Sequence, residues 1–189
     1  LVSAGVTVGS QTASHLHMPA NHEGRNKEDI RLSNERFQGE LGATPNLLAY
    51  PFGETSARIQ EIVKEAGFTA SFGQHSGALH VSSDRYYMPR FAINEKFGGL
   101  RRFKLVANTL PVPYIELSPS NPTLTKNPPL FGFTLAKGAG QIRGLTCYSG
   151  KQGKLQMERL GSRVEVRMAR NFAPGRARIN CTAPGPNGR

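Results

Sequence analysis

Apolar residues change their period along this chain, and that change limits it to two kinds of architecture in succession. In the first half they recur at helical spacing, between short β-branched or aromatic runs. Residues 26–41 carry Ile30, Phe37 and Leu41 among charges. A second helix is predicted after Ser56, which can cap its first turn, with Ile59, Ile62, Val63 and Ala66 on one face. Gly42 and Gly67 follow these segments as helix stops. Strands are predicted at Val6-Thr7-Val8, at Leu47-Leu48-Ala49-Tyr50 and at Phe68-Thr69-Ala70-Ser71-Phe72. Strand–helix–strand repeats of this length imply parallel strands with helices packed outside them.

A different pattern starts near residue 110. Pro111, Pro113, Pro119, Pro122, Asn127, Pro128 and Pro129 punctuate residues 111–129, as in an interdomain linker. Beyond it apolar and polar residues alternate, from Leu155 to Leu160 and from Val164 to Met168, and Gly161-Ser162 between them signals a hairpin. Leu130 to Leu135, Ile142 to Tyr148 and Arg176 to Thr182 are further strand candidates. The expectation is an α/β domain over 1–108, a Pro-rich linker over 109–129, and a small antiparallel β-sandwich-like domain over 130–189. Leu1-Val2-Ser3-Ala4-Gly5 reads as a domain already under way, and Pro184 to Arg189 as a turn entering another strand, so the chain is expected to be a fragment. Cys147 and Cys181 fall in separate strand candidates. They suit either a bridge between sheets in an oxidising compartment or two buried thiols.

The formal net charge of +11 over 189 residues sits almost wholly in the second half. Residues 1–108 hold 12 Lys and Arg against 10 Asp and Glu, whereas residues 109–189 hold 12 against 3. Such a field favours an acidic glycan or another anionic surface, or is simply a solvated basic face. Basic and aromatic residues are not interleaved as in a nucleic-acid module, so that partner class is not expected. No apolar run approaches the roughly 20 residues of a transmembrane helix.

Three stretches carry candidate chemistry. Ser10-Gln11-Thr12-Ala13-Ser14-His15-Leu16-His17-Met18 follows the first predicted strand, where parallel α/β folds open their active-site mouths. Gln11 and His15, four residues apart on a turn, could close on one cation, although an amide oxygen is a poor Zn²⁺ ligand beside an imidazole. Tyr50-Pro51-Phe52-Gly53-Glu54 follows a buried strand. It offers an apolar lip for a sugar ring and a backbone N–H for a developing oxyanion. His75, in Gly73-Gln74-His75-Ser76-Gly77, is placed after another strand, where a general acid could reach the same mouth. His17, His22 and His80 read as loop residues, with His17 pointing elsewhere.

In this order the stretches resemble the polysaccharide deacetylase family (carbohydrate esterase family 4). Gln11-Thr12-Ala13-Ser14-His15 looks like its His-Thr/Ser-x-x-His motif, and Tyr50-Pro51-Phe52-Gly53-Glu54 like its Tyr-Pro-Tyr/Phe-Gly-Glu variant. Residues 66–73 and Met88-Pro89-Arg90-Phe91 match later strands, so the resemblance spans about residues 2–108. It implies part of a distorted (β/α) barrel that removes N- or O-acetyl groups from polysaccharides. It also implies a divalent metal, Zn²⁺, bound by one Asp and two His. His15 matches the second metal-binding His, and Gln11 replaces the first. Phe52 matches the residue whose N–H helps form the oxyanion hole. Tyr50, Pro51, Phe52 and Gly53 match the substrate lip, and His75 takes the acid's position. Ala49 stands where many members carry an Arg that orients the base. The family's Asp-Asp motif is absent, since Asp29 and Asp84 are the only aspartates and neither has that context. The chain by itself is therefore expected to be inactive, the alternative being a glycan-binding protein whose catalysis has decayed. Family habit and the possible bridge imply an exported protein, periplasmic or extracellular.

Overall fold

The structure, a computed structural model, describes residues 1–137, 139 and 142–185. The closing residues Pro186 to Arg189, where a turn into another strand is expected, lie outside the described residues. The chain divides into two compact units. One comprises Leu1–His75 and Ser83–Ala92; the other comprises Ser76–Ser82 and the chain from Ile93 onward.

The first unit is mixed α/β. Helix α1 (Glu23–Leu41) starts at His22, whose ring accepts the Arg25 N–H, and stops at Gly42 in the left-handed conformation. Ser56 caps α2 (Ala57–Glu65) by accepting the Ile59 N–H at 3.2 Å. Strand β1 (Leu47–Ala49) pairs in parallel with β2 (Ala70–Phe72), Leu48 lying opposite Ser71. Single parallel bridges extend this pair on both edges, Ser10 to Leu48 and Phe72 to Met88. Four chain segments thus lie side by side in sequence order, all running the same way. The strand expected at Val6-Thr7-Val8 does not form; pairing starts only at Ser10, whose N–H donates to the Leu47 carbonyl at 2.8 Å. Leu48, Ile59, Ile62, Val63 and Phe68 pack with Met18, Ile30 and Tyr50 in one apolar core. Of the three apolar residues expected to face the core from α1, only Ile30 is fully buried, and Leu41 is exposed.

Among the described residues the second unit begins its regular structure with α3 (Leu100–Ala107), followed by seven strands in two antiparallel sheets. β3 (Tyr114–Ser118), β4 (Phe131–Leu135), β8 (Arg163–Arg167) and β7 (Gln156–Leu160) form one, in that order. β6 (Gly153–Lys154), β5 (Thr146–Ser149) and β9 (Ile179–Thr182) form the other. The predicted hairpin is present, with Leu160 opposite Arg163 across a two-residue turn in which Gly161 has φ 63°. The stretch expected as a linker contains β3, which the prolines flank rather than interrupt; it pairs with β4 through an irregular register between Ile115 and Ser118. Phe133, Leu135, Val164 and Val166 from the first sheet share a core with Cys147 from the second.

Cys147 and Cys181 are bonded. The bridge joins directly opposed residues of the neighbouring strands β5 and β9, not two different sheets as expected. It closes a sequence separation of 34 residues, and a loop of that size restricts the unfolded chain by about 4 kcal/mol. A Cys147→Ser/Cys181→Ser variant is expected to lose about that much stability in urea unfolding of the second unit, and an unchanged midpoint would contradict it.

Candidate functional site

Parallel pairing sends the loop after Ser10, the turn after β1 and the loop after β2 to the same carboxyl edge, where side chains of open α/β sheets meet ligands. The loop after Ser10 is pinned at several points. The Ser10 and Ser33 hydroxyls are 2.8 Å apart, the Thr12 N–H donates to Ser10 Oγ at 3.1 Å, and the His15 N–H donates to Thr12 Oγ1 at 3.3 Å. Asp29, only 3% exposed, accepts the Ser14 N–H on Oδ2 at 3.2 Å. Burial opposes its ionisation, but hydrogen bonds from Ser14 and Thr12 and the charge of Arg25 outweigh burial and hold the carboxyl below its ordinary range. These contacts keep Thr12 (φ 64°) and His15 (φ 51°) left-handed, a conformation uncommon for residues with a side chain.

The turn after β1 is equally constrained. Pro51 and Gly53 are buried, and between them Phe52 takes φ 56°. Gly53 has φ 71°, and a β-carbon there would stand 2.8 Å from Gln74 Cα and closer still to its N. Only glycine lets the turn approach the chain after β2 this closely. The left-handed Phe52 ring is then met by two imidazoles. His15 contacts it edge-on at 4.6 Å between centroids, and His17 lies flat on it at 3.9 Å with the planes 4° apart. His17 Nδ1 is 2.7 Å from Glu54 Oε2.

Five of the residues expected at the site need restating. Tyr50 is 0% exposed. Its hydroxyl donates to the Tyr86 carbonyl at 2.8 Å and accepts from Ser71 at 2.9 Å, and burial first of all raises its pKa to about 12. Its side chain therefore supports the turn from inside and has no surface for a substrate. Pro51 and Gly53 are buried as well, which leaves Phe52 as the lip's half-exposed member. Gln11 is exposed and makes no side-chain hydrogen bond among the described residues. His75 is half-buried, its ring 4.5 Å from that of Tyr87, whose hydroxyl donates to the Gly53 carbonyl at 3.3 Å. His75 Nδ1 is buried with no partner among the described residues, and burial pushes its pKa below the ordinary imidazole range. Burial thus disfavours the charged form of the ring.

His17 and Glu54 are the members of this cluster that sequence reasoning missed. His17 was expected to point away, because its two-residue spacing from His15 is ambiguous on a turn. The signal was in the motif, since Glu54 directly follows the Pro-Phe-Gly turn and its carboxylate needs a partner. Among the described residues no three His, Cys, Asp or Glu side chains converge on a point where a metal could sit. The donors do not fit a Zn²⁺ site. His15 and His17 both engage the Phe52 ring, and Gln11 offers only an amide oxygen, a poor Zn²⁺ ligand.

Two outcomes follow from this geometry. Gly53→Ala should displace the turn against Gln74 and cost about 2 kcal/mol or more; wild-type unfolding together with unshifted Phe52 ring resonances would refute the close approach. His75 protonates more readily once unfolded, so the stability present above about pH 6.5 is lost as pH falls toward its depressed folded value. The urea midpoint of the wild type should therefore fall more steeply between pH 7 and 5 than that of His75→Gln, and equal slopes would remove the buried neutral imidazole from the account.

Residues 1–71 match the family model described as Polysaccharide deacetylase. The match takes in the His15 loop and the Phe52 turn and stops before His75. No curated protein matches the chain. Among solved structures, a family 4 carbohydrate esterase from Streptomyces lividans in complex with acetate is similar at 27% identity, covering 38% of this chain and 36% of that one, with a TM-score of 0.36. A Streptococcus pyogenes deacetylase in complex with acetate is similar at 14% identity over 55% of this chain and 44% of that one, TM-score 0.48. A polysaccharide deacetylase from Bacillus cereus is similar at 20% identity over 56% and 33%, TM-score 0.49. The chain spans between a third and a half of the length of these structures. Over residues 1–71 this chain is similar to the polysaccharide deacetylase family.

Proposed function

We propose that this chain belongs to a hydrolase that removes acetyl groups, amide- or ester-linked, from a polysaccharide. The observation that carries this reading is the coincidence of the family match with the meeting of His15 and the Phe52 turn at one sheet edge. Deacetylation needs a surface that holds the sugar, donors for the tetrahedral oxyanion and groups that move protons. Phe52 supplies the half-exposed ring for the sugar. Its backbone N–H is the group that the family resemblance assigns to the oxyanion, and His15 stands beside it. His75 reaches the same turn through Tyr87 and Gly53.

Proton transfer is where the chain falls short. Neither aspartate is available as a base. Asp29 is buried, 3% exposed, and out of a substrate's reach, and Asp84 accepts the Tyr86 N–H at 2.8 Å. No step is derived through a metal, because the described donors do not fit one. A second reading therefore has support of its own: a glycan-binding chain with degenerate catalysis, in which the basic second unit adds attachment to an acidic glycan. The parallel segments from Ser10 to Met88 support a partial barrel, and the two antiparallel sheets with a common core support a sandwich-like second unit. The Cys147–Cys181 bridge supports an exported location. Among the described residues no helix is long and apolar enough to cross a membrane.

The chain incubated with N-acetylated chitooligosaccharide and excess Zn²⁺ is expected to bind the sugar without releasing acetate above background. Acetate release at an enzymic rate would overturn the inactivity. Absence of binding would overturn the glycan reading itself.

A further inference from the structure

We infer that His17 and Glu54 form, with Phe52, a metal-independent holding site for an N-acetylated amino-sugar chain. This rests on the deacetylase-type reading of the same edge and adds two residues that reading does not use. The flat stack of His17 on Phe52 makes a two-ring aromatic wall in which His17, its side chain 56% exposed, is the outer member and Phe52 is half-buried. Sugar rings present their C–H faces to such walls while their hydroxyl and amide groups seek a few fixed polar partners at the rim.

Those partners are in place. His17 Nδ1 faces Glu54 Oε2 at 2.7 Å, so with the proton on Nδ1 the ring donates to the carboxylate and turns the Nε2 lone pair outward. Neither Nε2 nor the second carboxylate oxygen makes a hydrogen bond among the described residues. Nε2 can accept a sugar hydroxyl, and the carboxylate oxygen can accept the acetamido N–H. Both residues are held from behind. The His17 carbonyl accepts the Asn21 side-chain amide at 2.8 Å and the Ala20 N–H at 3.0 Å, and the next residue, Met18, is buried in the core. The Glu54 N–H donates to the Pro51 carbonyl at 3.1 Å, in the same turn that carries Phe52. The pair is therefore pre-organised, which lowers the ordering cost of binding. His17 is turned toward Glu54 and Phe52, an arrangement that suits a sugar and needs no cation.

Binding of N-acetylchitotetraose to the chain, followed by ligand-observed NMR and titration calorimetry, tests this. Wild-type affinity should be unchanged by EDTA. His17→Ala and Glu54→Gln should each weaken binding about fivefold or more, the equivalent of one lost polar contact. His17→Phe, which keeps the stack and loses the acceptor, should fall between wild type and His17→Ala. Backbone amide spectra establish that each variant is folded. Wild-type affinity in both His17→Ala and Glu54→Gln, with binding lost in Phe52→Ala, would overturn the pair and leave the lip standing. Loss of binding in EDTA would overturn its independence of metal. Wild-type affinity in Phe52→Ala as well, or no binding by the wild type, would take down the deacetylase-type reading of this edge too.

Discussion

Parallel strand pairing is the constraint on which the first unit's chemistry depends. An antiparallel pair would send successive loops to opposite ends of the sheet. Here Ser10, β1, β2 and Met88 all run the same way, so each following loop emerges at one edge. Helices α1 and α2 return the chain and cover the sheet with Ile30, Ile59, Ile62 and Val63. The sheet itself is minimal, with three-residue strands and single bridges at both sides. Its rigidity comes instead from the buried core and from the Tyr50–Ser71–Tyr86 hydrogen bonds across it.

On that edge, backbone strain is concentrated where function is inferred. Thr12, His15 and Phe52 are all left-handed residues bearing side chains, and each such residue costs of order 1–3 kcal/mol unless its surroundings enforce it. The enforcement is visible. Asp29 and Thr12 hold the His15 loop by its amides, while Pro51 and Gly53 seat the Phe52 turn against Gln74. The outcome is an aromatic cluster in which two imidazoles share one phenyl ring. Such a cluster offers an apolar face of the kind sugars pack on, whereas position 11 supplies only an amide oxygen where a tetrahedral zinc would need a stronger donor.

The second unit is stabilised by other means. Two small antiparallel sheets share one core, and the cross-strand disulfide between β5 and β9 reinforces strands of four residues each. Its cationic surface follows from strands that alternate apolar with basic residues. Val164 and Val166 face the core, whereas Arg163 pairs with Glu165 at 2.7 Å and Arg167 reaches Glu158. The acidic residues are too few to neutralise the remainder, so the excess charge stays in solvent.

Local chemistry was legible in the amino-acid sequence: the Ser56 cap, the Gly42 stop, the Gly161-Ser162 hairpin and the Tyr-Pro-Phe-Gly turn each follow from nearest-neighbour sterics and hydrogen bonding. So was the change from helical to alternating period near residue 110, after which the chain forms strands in antiparallel sheets. Positions that depend on distant contacts were not legible. Val6-Thr7-Val8 has strand composition but no partner strand, and Pro119 and Pro122 gave no sign that Tyr114–Ser118 pairs with β4. Burial of Tyr50, the stacking of His17 and its bond to Glu54 across 37 residues were decided by tertiary structure alone. Side-chain direction on a turn depends on what the rest of the chain packs beside it, and that information is spread over the whole unit.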